Sequence, residues 1–178
     1  MKEHPVWEVY DFLRTALLNE KYYASQLVRH TRLRLTVELA LSIFASISVI
    51  TGLMVINIPW GKTLWLLASV MTAILAILAP LLRFGDKERS IEIVLRKYRA
   101  LNNELLELKN KIEEKKTYDE ECINTFKEIL KRSSKIAHEA PPLVIDKKLI
   151  KEKTDEVLNE MPPSSFFVPE AKGVKNGS

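Results

Sequence analysis

The chain has 178 residues, 47% of them hydrophobic and 28% charged, and a formal net charge of +4. Such averages suit one ordinary soluble domain, but the distribution contradicts them. Residues 39–61 and 63–82 carry no charge, and Lys62 alone divides them. Fewer than about 100 residues follow this block and 38 precede it, so neither flank has the size of a typical catalytic domain. One cysteine, Cys122, excludes an internal disulfide framework and a cysteine-based zinc site, and reads as a buried helical thiol. With five glycines and no GxGxxG or Walker A pattern, a phosphate-cradling loop is excluded too. The flanks are nearly neutral: six Lys/Arg against five Asp/Glu in residues 1–38, and 20 against 18 in residues 83–178. A nucleic-acid partner is therefore not expected.

In chain order, residues 6–33 contain neither Gly nor Pro. Trp7, Tyr10, Leu13, Leu17 and Leu18 form an apolar stripe at helical spacing, and Pro5 suits a first helical turn. This predicts an N-terminal cytoplasmic amphipathic helix in residues 1–38. It either runs on into the apolar block or bends between Arg29 and Arg34.

Residues 39–82 predict a transmembrane hairpin, with spans at 36–58 and 63–83. A helix rises about 1.5 Å per residue against a hydrocarbon core about 30 Å thick, so each run is long enough to cross. Lipid offers the backbone no hydrogen bonds, which forces both runs to be helical. The link is Asn57-Ile58-Pro59-Trp60-Gly61-Lys62, in which Pro59 and Gly61 stop the first helix and turn the chain. Trp60 and Trp65 suit the interface, and Lys62 can snorkel into headgroups. Arg29, Arg32 and Arg34 precede the first span, whereas Arg83, Lys87 and Arg89 follow the second. By the positive-inside rule both termini are cytoplasmic.

Small residues mark the span faces. Ala68, Thr72, Ala76 and Pro80 recur every four residues, beside Ser69 and Ala73; the first span has Ser42, Ser46, Ser48, Thr51 and Gly52. Such stripes let helices approach closely, either one span on the other or one subunit on the next, where the hydroxyls would line a pore. Glu38 at the cytoplasmic entrance is either a solvated boundary residue or one carboxylate of a ring at a pore mouth. Neither charge-free run contains a proton relay or a fixed ion site.

Beyond the spans, residues 86–161 predict a cytoplasmic helical hairpin plus a short helix. Gly85-Asp86 reads as a helix stop followed by an N-cap. Ile91, Tyr98, Leu105 and Ile112 recur every seven residues, with Val94, Leu101 and Leu108 between them. That is an a/d seam, to be buried against this chain or another copy. Thr117 and Glu120 fit a capping box for a second helix carrying Cys122, Phe126, Ile129, Ser133 and Ile136. Ala140-Pro141-Pro142 ends it, and Asp146 caps a short helix through Met161. The tail, 162–178, is extended or disordered by composition. Its apolar Phe166, Phe167 and Val168 either fold back or dock on a partner.

Chemistry is hard to find. His4, His30 and His138 form no HxxxH or HExxH arrangement, and no nucleophile stands beside a base. The expectation is a protein without enzymatic activity, metal or cofactor.

Several short motifs carry a resemblance. Lys21-Tyr22-Tyr23-Ala24-Ser25 and basic residues precede the bilayer, the spans join through Pro59-Trp60-Gly61-Lys62, Pro80-Leu81-Leu82-Arg83 enters the cytoplasmic helices, and Phe166-Phe167-Val168-Pro169 ends them. In this order the chain resembles the bacterial two-transmembrane SLATT family, the SMODS- and SLOG-associating effectors, over roughly residues 10–169. The resemblance implies an oligomeric, pore-forming effector in the bacterial inner membrane that collapses the membrane potential in antiviral or conflict-type defence. It also implies a separate nucleotide-sensing partner, since this chain carries no nucleotide-binding motif. The fold expected is thus an all-α membrane protein: a transmembrane hairpin, an N-terminal amphipathic helix and a cytoplasmic antiparallel helical hairpin. A second expectation is a non-enzymatic membrane scaffold or adaptor that recruits a cytoplasmic partner through its coiled helices and its Phe-Phe-Val tail.

Overall fold

The computed structural model describes residues 4–54, 60–81, 84–143 and 145–169. All regular structure among them is helical: α1 (Val6–Met54), α2 (Gly61–Leu81), α3 (Phe84–Lys115), α4 (Glu120–Glu139) and α5 (Lys147–Glu160), then a 3₁₀ turn at Pro163–Ser165. The helices form two compact units. One comprises Met1–Ser25 and Ile91–Ser178, the other Gln26–Ser90.

Of the two courses open to the N-terminal helix, the structure takes the continuous one, with α1 unbroken from Val6 to Met54. No Gly or Pro stands between Val6 and Gly52, so nothing removes an intrahelical hydrogen bond near Arg29 to Arg34.

The first unit is built on the α3 seam. Ile91, Val94, Tyr98, Leu101, Leu105, Leu108 and Ile112 are all buried. Cys122, Phe126, Ile129 and Ile136 of α4 join them in one cluster, so the seam is covered by this chain itself. Lys97 pairs with Glu139, Glu104 with Arg132 at 2.6 Å and Lys111 with Glu121 at 2.6 Å. Partners that descend along α4 as α3 ascends make the two helices antiparallel. A third side comes from α1, whose Val6, Val9, Tyr10, Leu13 and Ala16 are buried in the same cluster. Its buried stripe is offset from the expected one: Trp7 is only partly buried, and Leu17 and Leu18 lie at the margin. Tyr23 stacks on Tyr98 at 5.5 Å, and Glu20 accepts from Asn102 at 3.1 Å, which sets α1 antiparallel to α3. Finally α5 lies along α1, with Lys21 between Glu156 (2.6 Å) and Glu160 (2.7 Å).

Two expected boundaries move. Gly85-Asp86 does not stop a helix, because α3 begins at Phe84 and passes through both, with Asp86 as the acid of its first turn. An acid there suits the positive end of the helix dipole without being its cap. The cap of α4 is Asp119, not Thr117: its carboxylate accepts from the Cys122 amide at 2.9 Å. Before it, Lys116 closes α3 with a left-handed backbone (φ 53°), which turns the chain and carries Thr117 past the capping position. At α5 the reading holds, with Asp146 accepting from the Leu149 amide at 3.0 Å.

Candidate functional site

In the Gln26–Ser90 unit, α2 opens at Trp60, whose carbonyl accepts from the Leu64 amide at 3.1 Å. Gly61 is thus the first residue of α2, while Asn57 to Pro59, the rest of the expected turn, fall outside the described residues. Within α2, Gly61–Leu78 is long and apolar enough to cross a membrane, and only 11% of it is buried. Leu64, Leu66, Leu67, Val70, Ile74 and Ile77 all point outward. An uncovered apolar helix of this length is compatible with a lipid surrounding. Trp60, 81% exposed, and Trp65 stand at its start beside Lys62, the order expected of a membrane interface. It is the one helix among the described residues to meet that test; the first apolar run continues past Met54 into residues outside them.

Exposure divides the small residues into two sets. Ala68 is buried and Ser69 and Thr72 are half-buried, on one face of α2, whereas Ala73 and Ala76 are exposed. On α1, Val37, Leu41, Phe44 and Ile47 form the half-buried face, and Ser42 and Ser46 are exposed. The side chains at Ser48 and Thr51, the packing at Gly52 and Pro80, and residue Arg83 lie outside the described residues. Three of these hydroxyls are satisfied one turn back. Ser42 donates to the Glu38 carbonyl (3.0 Å), Ser46 to that of Ser42 (2.8 Å) and Thr72 to that of Ala68 (2.8 Å). This arrangement lets a hydroxyl sit in an apolar medium without an unmet donor.

The foot of the first apolar run is a charge cluster. Arg34 Nη1 donates to Glu88 at 2.7 Å, joining α1 to the start of α3, and its Nε lies 3.5 Å from Glu38. Glu88 is only 12% exposed; its second oxygen and the Arg34 Nε are buried without a hydrogen-bond partner. Arg34 is thus engaged by two carboxylates rather than left as a free anchor, and Glu38 is shared with it. Arg32, Lys87 and Arg89 are exposed, and Arg29 has a partner. Sequence reasoning passed over Glu88; the signal was an acid standing alone between Lys87 and Arg89.

In the other unit the tail folds back. Phe166 is buried, stacked on Tyr10 with ring centres 4.3 Å apart and covered by the Arg14 guanidinium at 4.9 Å. Arg14 also donates twice to the Met161 carbonyl, at 3.0 and 2.9 Å. The Tyr10 hydroxyl donates to the Phe167 carbonyl at 2.5 Å. Burial, with the Glu113 charge second, pushes the Tyr10 phenol up to about 12. A partner reaching this tail would meet Val168 and the outer side of Phe167, while Phe166 belongs to the core. Helical spacing put Tyr10 in an apolar stripe, but no spacing rule could have paired Tyr10 or Arg14 with partners at the opposite end of the chain.

Among the described residues this unit has shallow grooves of about 260 to 290 Å³. The one between α3 and α4 is floored by Leu101 and Ile136, and its rim charges Lys97, Glu139, Glu104 and Arg132 are paired with one another. Among the described residues no three His, Cys, Asp or Glu side chains gather as metal ligands. Cys122 is buried, and burial raises its thiol, which keeps it protonated. No protein-family model, curated protein or solved structure matches the chain.

Proposed function

We propose that the protein is a two-span membrane effector of the SLATT type, which oligomerises in the bacterial inner membrane and dissipates the membrane potential. The observation that carries this reading is α2, an outward-facing apolar helix that follows Trp60, carries Lys62 and Trp65 at its start and has no further charge. Residues 36–58 form the other, first span, and both termini lie in the cytoplasm, where Arg32, Lys87 and Arg89 meet the negative leaflet. Hairpins from several subunits assemble with Ser42, Ser46, Ser48 and Thr51 toward the lumen, Ser69 and Thr72 contributing from α2, and Glu38 at the mouth. The exposed position of Ser42 and Ser46 leaves that face open to a neighbouring subunit. A separate nucleotide-sensing protein supplies the trigger.

Expression in bacteria carrying a potential-sensitive dye tests the proposal. The wild-type chain should depolarise the cells, and replacing Ser42, Ser46 and Ser48 together with Leu should abolish this. If high expression, with or without a trigger, neither depolarises cells nor leaks liposomes, the pore is refuted.

A second reading, a membrane scaffold without enzymatic activity, is favoured by one observation. The hydroxyls of Ser42, Ser46 and Thr72 are satisfied by their own helices and so need no water-filled lumen. Oligomeric state in mild detergent separates the two: a ring of several subunits supports the pore, a monomer or dimer the scaffold.

A further inference from the structure

The start of α5 is charged in the sense opposite to its helix dipole. Its first turn has no acid, and Lys147, Lys148 and Lys151 share one exposed face, opposite the buried Leu149 and Val157. Among the described residues none of the three has an ion-pair partner, in contrast to Lys153, which is held by Glu152 and Glu156. Just before them Ile145 is 70% exposed, the most open of the large apolar side chains described in this unit. Of the nearby acids, Asp146 is occupied in capping the Leu149 amide, Glu152 is paired with Lys153, and Asp155 stands one turn beyond Lys151. The helix amides are therefore already served, and what remains is a cationic surface with an apolar point.

The position of this surface within its unit is informative. Along α1 the partners run from Tyr10 with Phe167, through Arg14 with Met161, to Lys21 with Glu156. Extending α5 back to Lys147 carries it past the level of Lys21, to the end of the unit where Ser25 leaves and Ile91 enters. The Tyr23–Tyr98 stack and the Lys97–Glu139 pair bring the start of α3 and the end of α4 to the same end. There Ile93 is also 45% exposed. Ser25 and Ile91, where the chain leaves and re-enters this unit, thus lie toward the same end of it as the lysines.

We infer that Ile145, Lys147, Lys148 and Lys151 form a docking surface for anionic lipid headgroups, with Ile145 entering the interface between them. Lysines near a negative leaflet are attracted within about a Debye length, and one apolar side chain adds a short-range hold. This rests on the membrane reading above and extends it, since it gives the helical bundle its own lipid contact in addition to the spans.

The test uses the full chain in vesicles, with Cys122→Ser and Ile145→Cys carrying an environment-sensitive dye. Emission should shift to the blue in vesicles of phosphatidylcholine with a third phosphatidylglycerol, and not in phosphatidylcholine alone. Lys147→Glu, Lys148→Glu and Lys151→Glu together, or 0.5 M salt, should abolish the shift. A dye at Glu120→Cys, at the opposite end of the unit, should not respond. Equal emission in both vesicles, or a shift that survives the triple substitution, overturns the inference. So does a shift in neutral vesicles on adding poly-glutamate, which would assign the surface to an acidic protein segment. Flotation of the same samples separates the two levels: protein that does not float refutes the membrane reading, whereas protein that floats without a shift refutes only the docking surface.

Discussion

Single residues decide where the helices begin and how they respond to pH. The Cys122 amide first, then the Cys122 side chain and Lys115, hold the Asp119 carboxyl down at about 2 from its ordinary 3.8. A carboxyl lowered on folding stabilises the protein above its unfolded value and loses that contribution as protons bind. The cap of α4 should accordingly hold in full above about pH 4 and fade as pH falls from 3.8 toward 2. Asp119→Ala should lower the thermal midpoint by a few degrees and flatten that acid limb, while Thr117→Ala should leave both unchanged. Circular dichroism across pH checks this, and an unchanged acid limb in Asp119→Ala would contradict the assignment. Thr117 was the natural choice from the pattern because Glu120 completes a capping box. What the pattern omits is the left-handed turn at Lys116, which carries the helix start two residues on.

At the scale of elements, α3 was legible almost completely. Seven apolar positions at heptad spacing leave a helix one way to hide its stripe, and every one of them is buried. Less legible was the third wall of the core, because α1 meets α3 through residues far apart in sequence and with its stripe rotated from the expected one. Leu105 is fully buried in this cluster, so Leu105→Ala should cost roughly 2–5 kcal/mol. Denaturant titration should show α1, α3 and α4 unfolding together. If the tyrosines of α1 report a separate transition from that of α4, the shared core is wrong. In α2 the apolar run was legible as a lipid-compatible helix. Which of its faces is covered was not, since Ala68 and Ala76 have the same side chain and differ only in what lies over them.

For the molecule as a whole, the division of labour lies between a charge-free segment and a bundle closed by both chain ends. The tail belongs to that closure through Phe166, which bears on a test of the scaffold reading. Truncation after Met161 removes a core aromatic along with any docking tail. It should destabilise the bundle by roughly 3–5 kcal/mol, the usual cost of emptying a buried Phe site. The same truncation should leave the chain in the membrane fraction, because α2 and the first apolar run are intact. Thermal denaturation and flotation of one sample check both halves. A truncated chain as stable as the parent would show that Phe166 contributes nothing to the core. To probe a partner at the tail without this loss, Val168→Asp is the better substitution, since Val168 is 37% exposed.

The sequence by itself determined what is periodic or local. Helical content, the charge-free block, the α3 seam and the Asp146 cap follow from spacing and from contacts within a few residues. Only the tertiary structure decided which long-range surfaces meet. It set Tyr10 and Arg14 on Phe166, Glu88 on Arg34, and three lysines with Ile145 at the end where the chain leaves the bundle. Those pairings depend on how apolar faces are rotated and stacked once buried, and no rule of spacing along the chain encodes that.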